Sequence, residues 1–172
     1  APFSPDLRFA IRRAYRFQRL ARDMMEALGL PHISEVPQAS PQEDPEAVAR
    51  VQREALGVTA RQQLGWKNQW EALREWREVL EKRRLLLLQA DFPRDEAQGF
   101  SVADSHPYAV VVTTKDPPTA RCFTLFHEFA HLLLREGGIC LIEEAPPPNG
   151  NNLARTESWC HRFAEAFLVD GE

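Results

Sequence analysis

The chain has 172 residues, 44% hydrophobic and 27% charged, with a formal net charge of -4. That length suits one sizeable core with room for a small helical appendage, and the composition matches soluble globular proteins, which separates it from disordered and membrane classes. No apolar run approaches the roughly 18 residues of a membrane-spanning helix, and the opening Ala1-Pro2-Phe3-Ser4 lacks the charged-then-apolar layout of a secretory signal.

Ser4-Pro5 has the form of a helix N-cap followed by proline at the first helical position. Leu7, Ile11, Ala14, Phe17, Ala21, Met24 and Leu28 then recur at helical spacing until Gly29. The other face of this helix holds Arg8, Arg12, Arg16, Arg19 and Arg22, a row read as a solvated surface in preference to a nucleic-acid contact. Residues 31–45, rich in Pro, Ser and acids, read as a linker. A second helix starts at Asp44-Pro45 and stops at Gly57; Thr59 with Gln62 forms a capping box for a short third; Asn68 with Glu71 opens a fourth that runs through Lys82.

From Leu85 the period changes. Leu85 to Leu88, Gly99-Phe100-Ser101-Val102 and Tyr108 to Thr113 read as three strands, with a turn at Asp104-Ser105-His106-Pro107, and a small antiparallel sheet is expected. Asp116-Pro117 reads as the cap of a helix running to Glu136 and stopped by Gly137-Gly138. Glu143 to Asn152 is loop by composition, and a last helix begins at about Leu153. Cys122, Cys140 and Cys160 are an odd set with no CxxC pair, which fits buried residues in a reducing cytoplasm and rules out a structural zinc spacing. The chain opens without Met and ends just after an apolar helical pattern, so flanking domains are expected.

The chemistry lies in His127-Glu128-Phe129-Ala130-His131, an HExxH pattern inside an otherwise apolar helix. Four residues advance about 400° around a helix of 3.6 residues per turn, so the two imidazoles stack on one side and can grip one ion. Glu128 projects beside them, where it can take a proton from a water that zinc acidifies and return it to a leaving amine. The plainer reading is a core helix with two hydrogen-bonded histidines, but burying two imidazoles and a carboxylate without an ion is costly. A catalytic zinc needs a third protein ligand. Glu157, His161 and Glu165 share one face of the last helix, and Glu157 is the best third ligand, since Glu143 and Glu144 lie in a Pro-rich loop that fixes a ligand less well. His161 is a candidate to orient a ligand or stabilise an oxyanion.

Gly99-Phe100-Ser101, the run Arg121-Cys122-Phe123-Thr124-Leu125 leading into His127-Glu128-Phe129-Ala130-His131, and Glu157 through Cys160 with Phe163-Ala164 resemble the ImmA/IrrE-type zinc metallopeptidases of bacteria and their mobile elements. The resemblance spans roughly Trp66 to Val169. It implies zinc bound by His127, His131 and Glu157, with Glu128 as general base. It also implies a protein substrate, a helix-turn-helix repressor whose cutting switches on stress-response or mobile-element genes. Many members carry a DNA-binding domain ahead of a helical connector; residues 1–63 resemble that connector and residues 64–172 a zincin-like metallopeptidase domain. His161 stands where Asn is common, Asp170 where Pro is common, and Phe126 and Phe129 are bulkier than usual, departures that bear on pocket shape and substrate choice.

The expected architecture is α+β and zincin-like: N-terminal helices, a small three-stranded antiparallel sheet, the HExxH helix and a C-terminal ligand helix. The expected reaction is peptide-bond hydrolysis with Tyr108 or His161 as oxyanion donor. The alternative is a regulatory module of a transcriptional regulator that binds its partner without cutting it. The expected setting is cytoplasmic and off the membrane, with nucleic acid met only through a domain absent from this chain.

Overall fold

The structure is a computed structural model that describes residues 3–135 and 150–169. Six helices and three strands follow in the order α1 (Pro5–Ala27), α2 (Pro45–Leu56), α3 (Ala60–Leu64), α4 (Gln69–Glu81), β1 (Leu86–Ala90), β2 (Gly99–Val102), β3 (Ala109–Thr113), α5 (Pro118–Leu133) and α6 (Gly150–Leu168). The fold class is α+β. Helix starts follow the capping residues: the Ser4, Asp44, Thr59 and Asn68 side chains each accept a backbone N–H of the first turn. Gly57 closes α2 in the left-handed conformation at φ 75°.

The sheet is mixed, with strand order β1-β3-β2, which corrects the antiparallel expectation. β2 and β3 do pair antiparallel, Ser101 opposite Val110, as their short turn requires. β1 pairs parallel with β3, Leu88 opposite Val111. The physical reason is that β3 is buried at all five positions and takes the centre. The chain reverses twice between β1 and β3, so β1 arrives on the far side of β3 running the same way.

The sheet separates two cores. Val110 and Val112 face a large core shared with α2, α4, α5 and α6, while Ala109 and Val111 face a smaller one closed by Leu7, Ala10 and Ala14 of α1. The buried face of α1 is narrower than the expected stripe: Phe17, Met24 and Leu28 are exposed, and Gln18 is buried instead, donating to the Ser105 carbonyl at 2.5 Å. Residues 31–44 have no regular structure, and Pro45 already opens α2, yet the stretch is not a loose linker. Ser34 and Val36 are buried, and the Ala39 N–H donates to the Leu133 carbonyl at 2.8 Å.

α6 is held on both sides. Trp76 sits edge-on to Phe126 of α5 and Phe167 of α6, with ring centroids 5.0 and 5.4 Å away, and Phe126 stacks on Phe167 at 4.1 Å. From the N-terminal side, the buried Arg53 donates to the Phe167 carbonyl at 2.5 Å and Gln63 to the Leu168 carbonyl at 2.9 Å. Trp159 donates to the Glu43 carbonyl at 2.8 Å, and Arg162 pairs with Asp44 and Glu46.

α5 ends at Leu133, and Asp116 does not cap it: the N-cap is Pro117, with no side-chain bond. The Asp116 carboxylate is buried and pairs with Arg94 at 3.2 Å, so this acid is drawn towards a cation instead of the helix end. α6 begins at Gly150, so the end of the expected loop is helical; the rest of that loop, with Glu143, Glu144, Gly137-Gly138 and Cys140, lies outside the described residues.

Gly99 is where α5 comes closest to the sheet. A Cβ there would stand 2.5 Å from Thr124 Cγ2 and 2.7 Å from the Val111 carbonyl oxygen. Gly99→Ala is therefore expected to destabilise the protein by about 1–3 kcal/mol, the usual cost of overpacking, as measured by urea denaturation.

Candidate metal centre

α5 is apolar along most of its length, and eleven of its residues are buried, so its polar side chains stand out. His127 and His131 lie one turn apart with ring centroids at 5.0 Å, and their Nε2 atoms converge to 3.3 Å. The packing of Phe163 and Phe167 seats α6 against α5 and brings Glu157 across from them. Glu157 Oε2 lies 3.0 Å from His127 Nε2, and Oε1 lies 3.2 Å from His131 Nε2.

These separations are close to those between the ligands of a tetrahedral cation. Ligands at about 2.0–2.1 Å from zinc stand about 3.4 Å from one another, and the contacts here are 3.0, 3.2 and 3.3 Å. Among the described residues, His127, His131 and Glu157 form the one group of three such donors with ligand atoms within 4.8 Å of one another. The donor set of two imidazoles and a carboxylate, with Glu157 partly open to solvent, suits a catalytic zinc that keeps a position for water. Hydrogen bonds from His127 and His131 hold the Glu157 carboxyl well below the usual carboxylate range, so it is an anion ready to ligate.

Glu128 is the second feature. It is 2% exposed, and its Oε2 has no hydrogen-bond partner. Burial pushes its carboxyl up to about 7; the charge of His127 and the Ser101 hydroxyl oppose that push, and the nearby Glu157 adds to it. A buried carboxyl poised near neutrality beside three converging donors has the proton affinity a general base would need.

His161 is exposed one turn beyond Glu157, where it pairs with Glu165 at 3.2 Å and sits edge-on to Phe123 at 4.9 Å. It does not join the three converging donors. Tyr108 precedes β3, half-buried, and stacks on His106 at 4.2 Å. Cys122 and Cys160 are buried, as expected, and burial pushes the Cys122 thiol up to about 12, which keeps it protonated and inert. Sequence reasoning gives Ser101 no role, yet it is a fully buried polar residue on β2. The signal for it is a lone hydroxyl in an apolar strand two residues after a glycine.

Among the described residues no helix is long and apolar enough to cross a membrane. A family model, the IrrE N-terminal-like domain (Peptidase_M78), matches residues 80–172, more than half of the chain. No curated protein and no solved structure gives a match.

Proposed function

The chain belongs to the Peptidase_M78 family, and from that membership we propose that it is a zinc-dependent endopeptidase that cuts a helix-turn-helix repressor or similar regulatory protein at one site. The observation that carries this reading is the convergence of His127, His131 and Glu157 beside the buried Glu128. His127, His131 and Glu157 would hold the zinc. When bound, the ion supplies a Lewis acid that acidifies a water and polarises the scissile carbonyl.

The chain's own residues supply the proton transfers. Glu128 accepts a proton from the attacking water and passes it to the leaving amine, a task that calls for a carboxyl whose affinity lies near the working pH. Phe123, ring to ring with both His127 and His161, gives the mouth of the cluster an apolar wall for a substrate side chain. The arrangement of an HExxH helix and a returning ligand helix is read as zincin-like. Residues 64–172 would be the catalytic unit and residues 1–63 the helical connector that braces it, in a cytoplasmic protein that meets nucleic acid only through another domain.

The test is intact-mass spectrometry of helix-turn-helix regulators encoded beside this gene after incubation with the zinc-loaded protein. Two fragments whose masses sum to the substrate plus one water are expected. A stable complex with unchanged mass would instead make the protein a non-cleaving regulatory module. Removing zinc with a chelator is expected to stop cleavage and lower the melting temperature, and zinc alone should restore both. At a free zinc concentration about a thousand times Kd the linked stabilisation is about 4 kcal/mol, readable by differential scanning fluorimetry.

A further inference from the structure

β2 and α5 meet in a register that pairs a glycine with a threonine and a serine with the candidate base. Gly99 lies against Thr124, with no room for a Cβ between them. From that contact, two residues along a strand advance about 6.6 Å and return to the same face; four residues along a helix advance about 6 Å and return to the same side. The next pair in this register is Ser101 and Glu128. Both residues are buried, and neither the Ser101 hydroxyl nor Glu128 Oε2 has a hydrogen-bond partner in the structure. Two such groups left unmade in a packed core would each be costly. The electrostatics agree, since the Ser101 hydroxyl is among the groups that favour the ionised Glu128.

We propose that Ser101 is a positioning residue, whose hydroxyl donates to the Glu128 carboxylate and fixes its orientation towards the His127, His131 and Glu157 cluster, with Gly99 as the gap that lets α5 descend to it. The consequence for catalysis rests on the reading of Glu128 as the base; the contact itself does not. Ser101 touches no ligand atom of the cluster, so its loss leaves metal binding in place while freeing the carboxyl to turn away.

The test is infrared spectroscopy of the metal-free protein, in which the Glu128 carboxyl band is the one lost in Glu128→Gln. Ser101→Ala is expected to shift that band to higher frequency with no change in circular dichroism. An unmoved band in a folded Ser101→Ala protein overturns the proposal, whatever the protein's activity. Should Ser101→Ala not fold, Ser101→Cys keeps the volume with a weaker donor and must shift the band the same way by less; no shift there overturns the proposal equally. With a cleavable substrate, Ser101→Ala is expected to lower kcat by on the order of tenfold with KM unchanged, and to lower it no further in the Glu128→Gln background. A full additional loss in that background would mean that Ser101 acts elsewhere.

Discussion

Glu128→Gln is expected to slow cleavage of the cognate protein by about 10²–10⁴-fold, the usual contribution of a general base, while zinc stoichiometry stays at the wild-type value. The amide has the shape of the acid but cannot accept the proton, and the three converging ligand atoms are untouched. The same substitution is expected to stabilise the metal-free protein at high pH. In the folded chain burial raises the Glu128 carboxyl from its ordinary 4.5 to about 7. Between those values the folded state keeps a proton that the unfolded chain has released, so stability falls as pH rises through this window and the loss is complete above about 7. A shift of that size corresponds to roughly 3 kcal/mol. Urea denaturation of the metal-free proteins should therefore find Glu128→Gln the more stable at pH 8, with the gap closing towards pH 4.5. A variant that is less stable than wild type at pH 8 contradicts the burial argument, and one that cleaves at the wild-type rate contradicts the assigned base.

Glu157→Ala should empty the site. Loss of a partner that only supports a ligand lowers metal affinity by about 10–100-fold, and loss of the ligand itself is expected to exceed that. It also removes the acid to which both imidazoles are bonded, at 3.0 and 3.2 Å, so His127 and His131 lose the group that aims them. Zinc titration calorimetry and metal content after desalting measure the effect, with cleavage falling in step with occupancy. Glu165→Ala, on the same helix but paired at the surface with His161, is the control and should keep wild-type zinc content. If Glu157→Ala binds zinc as tightly as wild type, the third ligand lies elsewhere, and Glu143 and Glu144 become the acids to replace.

Much of the centre was legible because its geometry is local. Two histidines four residues apart on a helix converge whatever the rest of the fold does, and His127 and His131 do so. Glu157 needed a second helix to return; the sequence offers it as an acid on a helical segment after the HExxH helix, and the packing of α6 on α5 that brings it across is seen only in the structure. The direction of β1 was not legible: alternation of apolar residues says which face is buried, not which way a neighbour runs. The buried side of α1 is not legible for a related reason. That helix is apolar over two sides, and periodicity cannot tell that Leu7, Ala10 and Ala14 meet the sheet while Phe17 and Met24 do not. A role for Ser101 is not legible because Glu128, the residue it is proposed to hold, lies 27 residues away in the chain, across a strand-to-helix approach set by the absence of a side chain at Gly99.

The fastening of α6 to earlier parts of the chain limits how the protein can be shortened. A truncation beginning at residue 64 would strip away Arg53, Gln63, Glu43, Asp44 and Glu46, the counterparts of Phe167, Leu168, Trp159 and Arg162. The stem that presents Glu157 would then rest on α5 and α4 alone, free to tilt, and the cluster of His127, His131 and Glu157 would come apart through slack in a scaffold rather than through any change to its members.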